Sequence, residues 1–279
     1  MIVFFNGKID NQDNIKLSPF DRGFLYADGV YEVIRTYNGK FFRLEDHLER
    51  LIHSLNSIKI NFKEINKIEN ILYQLIVENK YTSEVMAYIQ ITRGTYFPRK
   101  HSFPEQNINP TVFISANPLS EDRTENETGV KVILQKDIRW KRCNIKSVSL
   151  LPNVLANQQA KEESAGEAVW VNNGSLLEGS HTNFFGVKNG EVWTAPLSNL
   201  ILSGVTRKVI LELCNSLNIQ CKEQAISENK IKSFDEFFIS GTTTEIKPII
   251  QINNMKIQNG KPGNLTKRLQ TAFYDMVKN

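Results

Sequence analysis

Lys146 is the first residue whose setting suggests chemistry. In Cys143-Asn144-Ile145-Lys146-Ser147-Val148 it follows Arg142 and then stands in a mostly uncharged stretch. A lysine among apolar neighbours sheds its proton more easily and can condense with a carbonyl as a nucleophile. The plain alternative is a solvated surface amine. Glu178 ends the apolar run Leu176-Leu177, and a buried carboxylate wants a cationic or protonated partner. Ser203-Gly204-Val205-Thr206-Arg207 leads into a helical pattern through Val209, Ile210, Leu213 and Leu217. A helix start presents free N–H groups and a positive dipole end, which suit a phosphate. Taken alone, the same five residues are more simply an ordinary Ser/Thr cap. A second hydroxyl-rich turn, Ser240-Gly241-Thr242-Thr243-Thr244, follows the strand-like Glu236-Phe237-Phe238-Ile239. Its plain reading is a polar loop; two such turns in one half of the chain add weight to an anion cradle without establishing one. No GxxxxGK[ST] or GxGxxG occurs, so nucleoside triphosphates and dinucleotides are poor ligands. These residues by themselves lead to an enzyme of unspecified type.

The elements that position them are legible from turns and periodicity. Asn-Gly occurs at 6–7, 38–39, 173–174, 189–190 and 259–260, and Asn-Gly is the preferred centre of a type I′ hairpin turn. Strand-like runs flank several of these: 30–37 and 40–44, 168–171 and 175–177, 183–187 and 191–193. That pattern predicts antiparallel sheet and an α+β fold. Leu44, Leu48, Leu51, Leu55 and Ile58 mark a helix, Ile65, Ile68, Leu72 and Leu75 a second. Leu269, Phe273 and Val277 mark a C-terminal one, and 154–165 reads as a helix stopped by Gly166. The polar stretch 119–128 has no periodicity and reads as a linker. The expected organisation is an N-terminal α+β domain over 1–118 and a C-terminal α+β domain over 129–279.

Composition narrows the class. The 279 residues suit one large domain or two modest ones. With 23% charged and 41% hydrophobic residues, the chain is no disordered, collagenous or disulfide-built protein. Lys and Arg number 34 against 30 Asp and Glu, a net +4. The charges interleave instead of forming a basic stripe, which argues against nucleic acid as a partner. Cys143, Cys214 and Cys221 are odd in number and form no CxxC, so neither a disulfide framework nor a zinc site is expected, and no metal. No apolar run approaches the roughly 18 residues of a membrane span. Met1-Ile2-Val3-Phe4-Phe5 turns at Asn6-Gly7 too soon for a secretory signal. A cytoplasmic protein without a membrane partner is the expectation.

A set of motifs in fixed order completes the reading. They are Asp21-Arg22-Gly23-Phe24, Asp28-Gly29-Val30-Tyr31-Glu32-Val33-Ile34-Arg35, Thr92-Arg93-Gly94, and Arg139-Trp140 through Lys146-Ser147. Leu150-Leu151-Pro152-Asn153-Val154-Leu155-Ala156, Glu178-Gly179-Ser180, Ser203 through Arg207, and Thr242-Thr243-Thr244-Glu245-Ile246 follow. Through nearly its whole length the chain resembles the fold-type IV pyridoxal-phosphate enzymes. That family includes D-amino acid aminotransferase, branched-chain aminotransferase and aminodeoxychorismate lyase. The resemblance implies a two-lobed α+β fold and pyridoxal 5′-phosphate as cofactor.

Position by position, the resemblance implies that Lys146 holds the cofactor as a Schiff base and serves as the catalytic acid and base. Glu178 then stands beside the pyridine nitrogen, with Arg139 holding Glu178 ionised. Arg50, Val205, Thr206 and Thr242 match the phosphate contacts, and Leu202 would pack against the ring face. Tyr31 with Arg99 and His101 of Arg99-Lys100-His101 resembles the carboxylate trap of the D-amino acid enzymes. There the Arg-x-His loop reaches the site from the neighbouring subunit, which implies a homodimer. Transamination of D-alanine-type amino acids with a 2-oxo acid such as 2-oxoglutarate is the expected activity. The alternatives are aminodeoxychorismate cleavage to 4-aminobenzoate and pyruvate, and transamination of branched-chain L-amino acids. The chain departs from the pattern at a longer 95–98 loop, at His181-Thr182 and at Gly241. His47 and His53 read as structural residues of the 44–58 helix.

Overall fold

The computed structural model describes residues 1–105, 107–119 and 122–278. The chain divides into two compact units, Met1–Glu121 with Ile145–Ser149, and Asp122–Asn144 with Leu150–Asn279. The division falls within 119–128. Residues 124–128, inside the expected linker, form a short helix, and 145–149 group with the first unit.

In the first unit the elements run β1 (Ile2–Phe5), β2 (Lys8–Asn11), α1 (Arg22–Tyr26), β3 (Gly29–Tyr37) and β4 (Lys40–Phe41). Then come α2 (Leu44–Ser57), α3 (Ile68–Glu78), β5 (Val85–Thr92) and β6 (Thr111–Pro118). The strands form one antiparallel sheet in the order β2-β1-β6-β5-β3-β4. Leu51 and Leu55 of α2 and Leu72 and Leu75 of α3 bury the apolar stripes that the spacing predicts. They share a core with Ile34, Ile89, Ile91 and Ile114 of the sheet.

The second unit continues with α4 (Thr124–Thr128), β7 (Val130–Lys136), α5 (Leu151–Glu162), β8 (Glu167–Asn172) and β9 (Ser175–Gly179). After β10 (Asn183–Lys188) and β11 (Glu191–Thr194) come α6 (Val205–Ser216), β12 (Cys221–Glu223) and β13 (Ile226–Ser227). The last elements are β14 (Glu236–Gly241), β15 (Glu245–Ile252), β16 (Met255–Lys256) and α7 (Asn264–Lys278). The sheet order is β12-β11-β10-β14-β15-β7-β8-β9-β13, with β16 on β15. An additional pairing of β9 with β10, Glu178 opposite Asn183, closes six of these strands into a ring. Phe184 and Phe237 join the cluster with Ile226, Ile239 and Ile249. On the other face Phe185 stacks on Phe238 at 4.7 Å. Strands covered on both faces lose the alternation of a half-exposed sheet.

Two sequence expectations change in detail. The second sheet is mixed, because β7–β8, β7–β15 and β11–β12 are parallel. A parallel pair needs a crossover of a dozen or more residues, and 137–166 supplies it between β7 and β8. That crossover carries Arg139, Lys146 and α5. Helix α5 ends at Glu162, not at Gly166, and Ser164 takes the left-handed conformation (φ 52°). Four Asn-Gly pairs do turn hairpins, with positive φ at both residues. Asn259-Gly260 joins no paired strands; the β15–β16 turn uses Asn253-Asn254 instead, with Asn253 at φ 50°. No described helix is long and apolar enough to cross a membrane.

Candidate functional site

Within the first unit, Lys146 is placed by a strand-like addition to β3. Tyr31 N–H donates to Lys146 O at 3.0 Å, Val148 N–H donates to Gly29 O at 3.1 Å, and Ser147 bridges Val30. The Lys146 N–H donates to Ser54 Oγ of α2 at 3.2 Å. This pins the lysine from both sides and sets its Nζ 4.2 Å from the centre of the Tyr31 ring. Tyr31 in turn stacks on Tyr88 at 5.8 Å.

Arg50 reaches inward from α2 onto Glu32, which is fully buried. Its Nε donates to Glu32 Oε1 at 2.7 Å and its Nη2 to Oε2 at 2.9 Å. His47 Nδ1 lies 2.9 Å from Glu32 Oε2. Burial alone would raise the Glu32 carboxyl, but the charge and hydrogen bonds of Arg50, with those of His47, hold it well below the ordinary carboxylate range. Burial depresses His47, reinforced by the nearby charges of Arg50 and Lys146, although Glu32 opposes the shift. Glu32 thus fixes the orientation of Arg50. Sequence reasoning missed it although a signal existed: Glu32 shares strand parity with Val30 and Ile34, both fully buried.

Arg99 and His101 gather on Tyr26. The Arg99 guanidinium lies 4.5 Å from the Tyr26 ring centre, Arg22 lies 4.6 Å from it, and the His101 ring lies 5.4 Å away. Arg22 also binds the loop backbone, donating to Lys100 O at 2.7 Å and His101 O at 3.2 Å. Its Nε is held by Asp28 at 2.8 Å, and Arg93 grips the same carboxylate with two donors at 2.7 and 2.9 Å. Both loop side chains are exposed. The clamp explains how an exposed loop keeps Arg99 and His101 together.

Within the second unit, Glu178 closes the strand ring and is 5% exposed. Arg139 Nη1 donates to its Oε1 at 2.5 Å, and Leu202 N–H donates to Oε2 at 2.9 Å. Asn183 Nδ2 donates to Leu202 O at 3.0 Å and to Glu178 Oε2 at 3.3 Å. Arg139 is shared, because Asp137 accepts from its Nε and Nη2 at 3.0 Å each. Burial therefore prevails over the Arg139 charge and pushes the Glu178 carboxyl up to about 7. Desolvation here outweighs the charge of a guanidinium that is shared with a second carboxylate.

Helix α6 begins at Val205 with Gly204, which has no side chain, as its N-cap. The N-cap is thus neither Ser203 nor Thr206. A Cβ on Gly204 would lie 1.9 Å from Asn183 Oδ1, so only glycine allows that approach. Ser240 faces Asn183 across β14–β10 and shares its side of the sheet. The Ser240 hydroxyl is buried and has no hydrogen-bond partner among the described residues. Thr242 lies in the turn between β14 and β15, and Thr206 is buried in the first turn of α6. A helix start with glycine at its N-cap, near the buried Ser240 hydroxyl, suits an anion. A buried carboxylate left near neutral pKa suits a protonated ring nitrogen. The residues present therefore fit the phosphate and the pyridine nitrogen of pyridoxal 5′-phosphate. Among the described residues no group of three His, Cys, Asp or Glu is placed to hold a metal.

The family model for amino-transferase class IV matches residues 29–252. The chain belongs to the class IV aminotransferases. It is 37% identical to the D-alanine aminotransferase of Staphylococcus epidermidis, over 99% of this chain and 98% of that enzyme. The solved branched-chain amino acid aminotransferase of Escherichia coli superposes with a TM-score of 0.91 at 25% identity, covering 99% and 94% of the two chains. The branched-chain aminotransferase of Thermoproteus uzoniensis, solved with norvaline, gives 0.87 at 25% identity, over 100% and 95%. In this class IV aminotransferase the motifs singled out by sequence fall on β3, the β7–β8 crossover, β9, the start of α6 and the β14–β15 turn.

Proposed function

We propose that this class IV aminotransferase moves the amino group of D-amino acids of the D-alanine type to a 2-oxo acid such as 2-oxoglutarate, using pyridoxal 5′-phosphate. The observation that carries this reading is the 37% identity to a D-alanine aminotransferase across 99% of the chain. Bound pyridoxal 5′-phosphate supplies an electron-accepting ring and the carbon that takes up the amino group. Every other role falls to the chain's own residues.

Lys146 holds the cofactor through Nζ. Once freed, its Nζ would take the substrate's Cα proton and deliver it to the carbon two bonds away, across the nitrogen. Tyr31, beside Lys146, turns its hydroxyl to the substrate carboxylate. Arg99 and His101, presented by the Tyr26 and Arg22 clamp, complete that carboxylate site from a neighbouring copy of the chain, so the working protein is a homodimer. Arg99 offers a guanidinium fork that fixes a carboxylate in one orientation. Glu178 takes the ring nitrogen as its proton-bearing partner, and Arg139 steadies Glu178 from behind. Arg50, Val205, Thr206 and Thr242 hold the phosphate, and Leu202 lies against the ring. The protein works in the cytoplasm on small-molecule substrates.

The test uses the cofactor-loaded enzyme with D-alanine and 2-oxoglutarate, following pyruvate. Sustained turnover with D-alanine and none with L-leucine is the expected result, and Lys146→Ala should abolish it. Turnover of L-leucine alone would replace this reading with the branched-chain one that the structural likeness also accommodates. Release of 4-aminobenzoate from aminodeoxychorismate without a 2-oxo acid would replace it with a lyase.

A further inference from the structure

Helix α6 and strand β12 are joined by a ladder of side chains that the transamination chemistry does not use. Its first rung is Arg207 Nη2 donating to Glu223 Oε2 at 2.7 Å. Glu223 and Cys221 are two residues apart on β12, so they share a face of the strand. Arg207 and Cys214 are seven residues apart on α6, about two turns, so they share a face of the helix. The second rung is therefore Cys214 with Cys221, which the tight turn between α6 and β12 brings back on one another, close enough to shift each other's ionisation. The connection between them is tight: Asn218 turns the chain at φ 55°, and Ile219 N–H donates to Cys214 O at 2.8 Å. Both cysteines are reduced, Cys214 buried and Cys221 exposed.

The two thiols are inequivalent. The neighbouring Cys214 thiol lowers Cys221, and the Arg207 charge adds to this against burial and Glu223. The same neighbourhood, with burial, raises Cys214. An exposed thiol that ionises first beside a guarded one that keeps its proton matches the division of labour between an attacking and a resolving cysteine.

We propose that Cys221 and Cys214 are a hydroperoxide-reactive pair that closes a reversible disulfide within one chain. The Cys221 thiolate attacks a peroxide oxygen, the O–O bond breaks, and sulfur is oxidised to a sulfenic acid while the alcohol or water leaves. The Cys214 sulfur then attacks the Cys221 sulfur, the S–O bond breaks, and the departing hydroxide leaves as water with the Cys214 proton. A thiol reductant supplies the two electrons that reopen the bond. The site is independent of the transaminase reading.

The experiment treats the full-length protein with hydrogen peroxide and reads thiols and mass. Two of the three thiols should be lost with two hydrogens of mass. A non-reducing peptide map should join Cys214 to Cys221 in one chain, and dithiothreitol should restore both. In Cys214→Ser the sulfenic acid on Cys221 should accumulate, so that dimedone captures severalfold more than in the unaltered protein. Cys143→Ser should change nothing. Equal dimedone capture with and without Cys214, a Cys221 bridge between two chains, or no loss of thiols would each overturn the proposal. The peptide map of the unaltered protein decides the matter even if Cys214→Ser fails to fold.

Discussion

Arg139 meets Glu178 through a single amino group and shares the rest of its fork between Asp137 and the Leu200 carbonyl: one donor reaches Glu178 at 2.5 Å, two reach Asp137 at 3.0 Å, and Nη2 also reaches Leu200 O at 3.1 Å. The guanidinium is therefore only partly available to the carboxylate that ends β9. Burial raises Glu178 from 4.5 to about 7. A carboxyl whose pKa rises on folding holds its proton more tightly folded than unfolded. Its contribution to stability falls as pH rises from about 4.5 to about 7, and the whole cost, on the order of 3 kcal/mol, is present above pH 7. Glu178→Gln cannot ionise. Thermal denaturation of the cofactor-free protein should show the variant gaining on the unaltered protein as pH rises through that window. A gap that stays constant with pH would mean that Glu178 ionises without penalty.

Gly204 and Asn183 make a paired prediction. Gly204→Ala places a methyl 1.9 Å from Asn183 Oδ1, and Asn183 is tied to Leu202 and Glu178. Overpacking of this kind costs about 1–3 kcal/mol. The variant should bind pyridoxal 5′-phosphate at least about tenfold more weakly, the equivalent of roughly 1.4 kcal/mol. Adding Asn183→Ala should remove the clash, although it also removes two hydrogen bonds. Titration of both variants with the cofactor tests whether their effects are less than additive.

The Tyr26 ring is in contact with the guanidinium groups of both Arg22 and Arg99. Each such contact contributes about 0.5–1 kcal/mol when partly exposed. Tyr26→Leu should therefore raise KM for D-alanine about tenfold with kcat within about twofold, because the loop and not the chemistry is disturbed. Tyr26→Phe keeps the ring and discards a hydroxyl that has no partner among the described residues, so its KM should stay near that of the unaltered enzyme. Steady-state kinetics on the two variants separate the ring from the hydroxyl.

Glu32 holds Arg50 inside the first unit. Glu32→Gln leaves a buried guanidinium without its countercharge, and breaking a buried pair this way costs about 3–5 kcal/mol. Chemical denaturation should register that loss. If Glu32 also aims Arg50 at the phosphate, the affinity for pyridoxal 5′-phosphate should fall about tenfold or more while that for pyridoxal, which has no phosphate, changes little. Equal losses for both ligands would separate Arg50 from the phosphate.

Much of the framework was legible because its causes are local. Asn-Gly pairs adopt positive φ at little cost, so four of the five marked real hairpins. The fifth did not, because a turn becomes a hairpin only when its flanks find each other. The stripes through Leu44–Ile58 and Leu269–Val277 predicted helices because 3.6-residue periodicity is written in the residues. The mixed character of the second sheet was hidden, since the crossover 137–166 carries no hairpin signal. Glu32 was legible in hindsight as a carboxylate on the apolar parity of β3, and Glu178 stands likewise two residues from the buried Leu176.

The sequence by itself determined the turns, the amphipathic faces and the motif order that marks a class IV aminotransferase. Those depend on backbone preference and on residues close in the chain. Only the tertiary structure decided which charges face one another: Arg50 with Glu32, Arg139 divided between Asp137 and Glu178, Arg22 and Arg99 around Tyr26. The Arg50–Glu32 and Arg139–Glu178 pairs bridge 18 and 39 residues of chain, and the pKa of each carboxylate follows from its burial and its partner. A lone Ser240 hydroxyl beneath the start of α6, or a carboxylate left near neutral pKa, exists only once distant strands have excluded water around it.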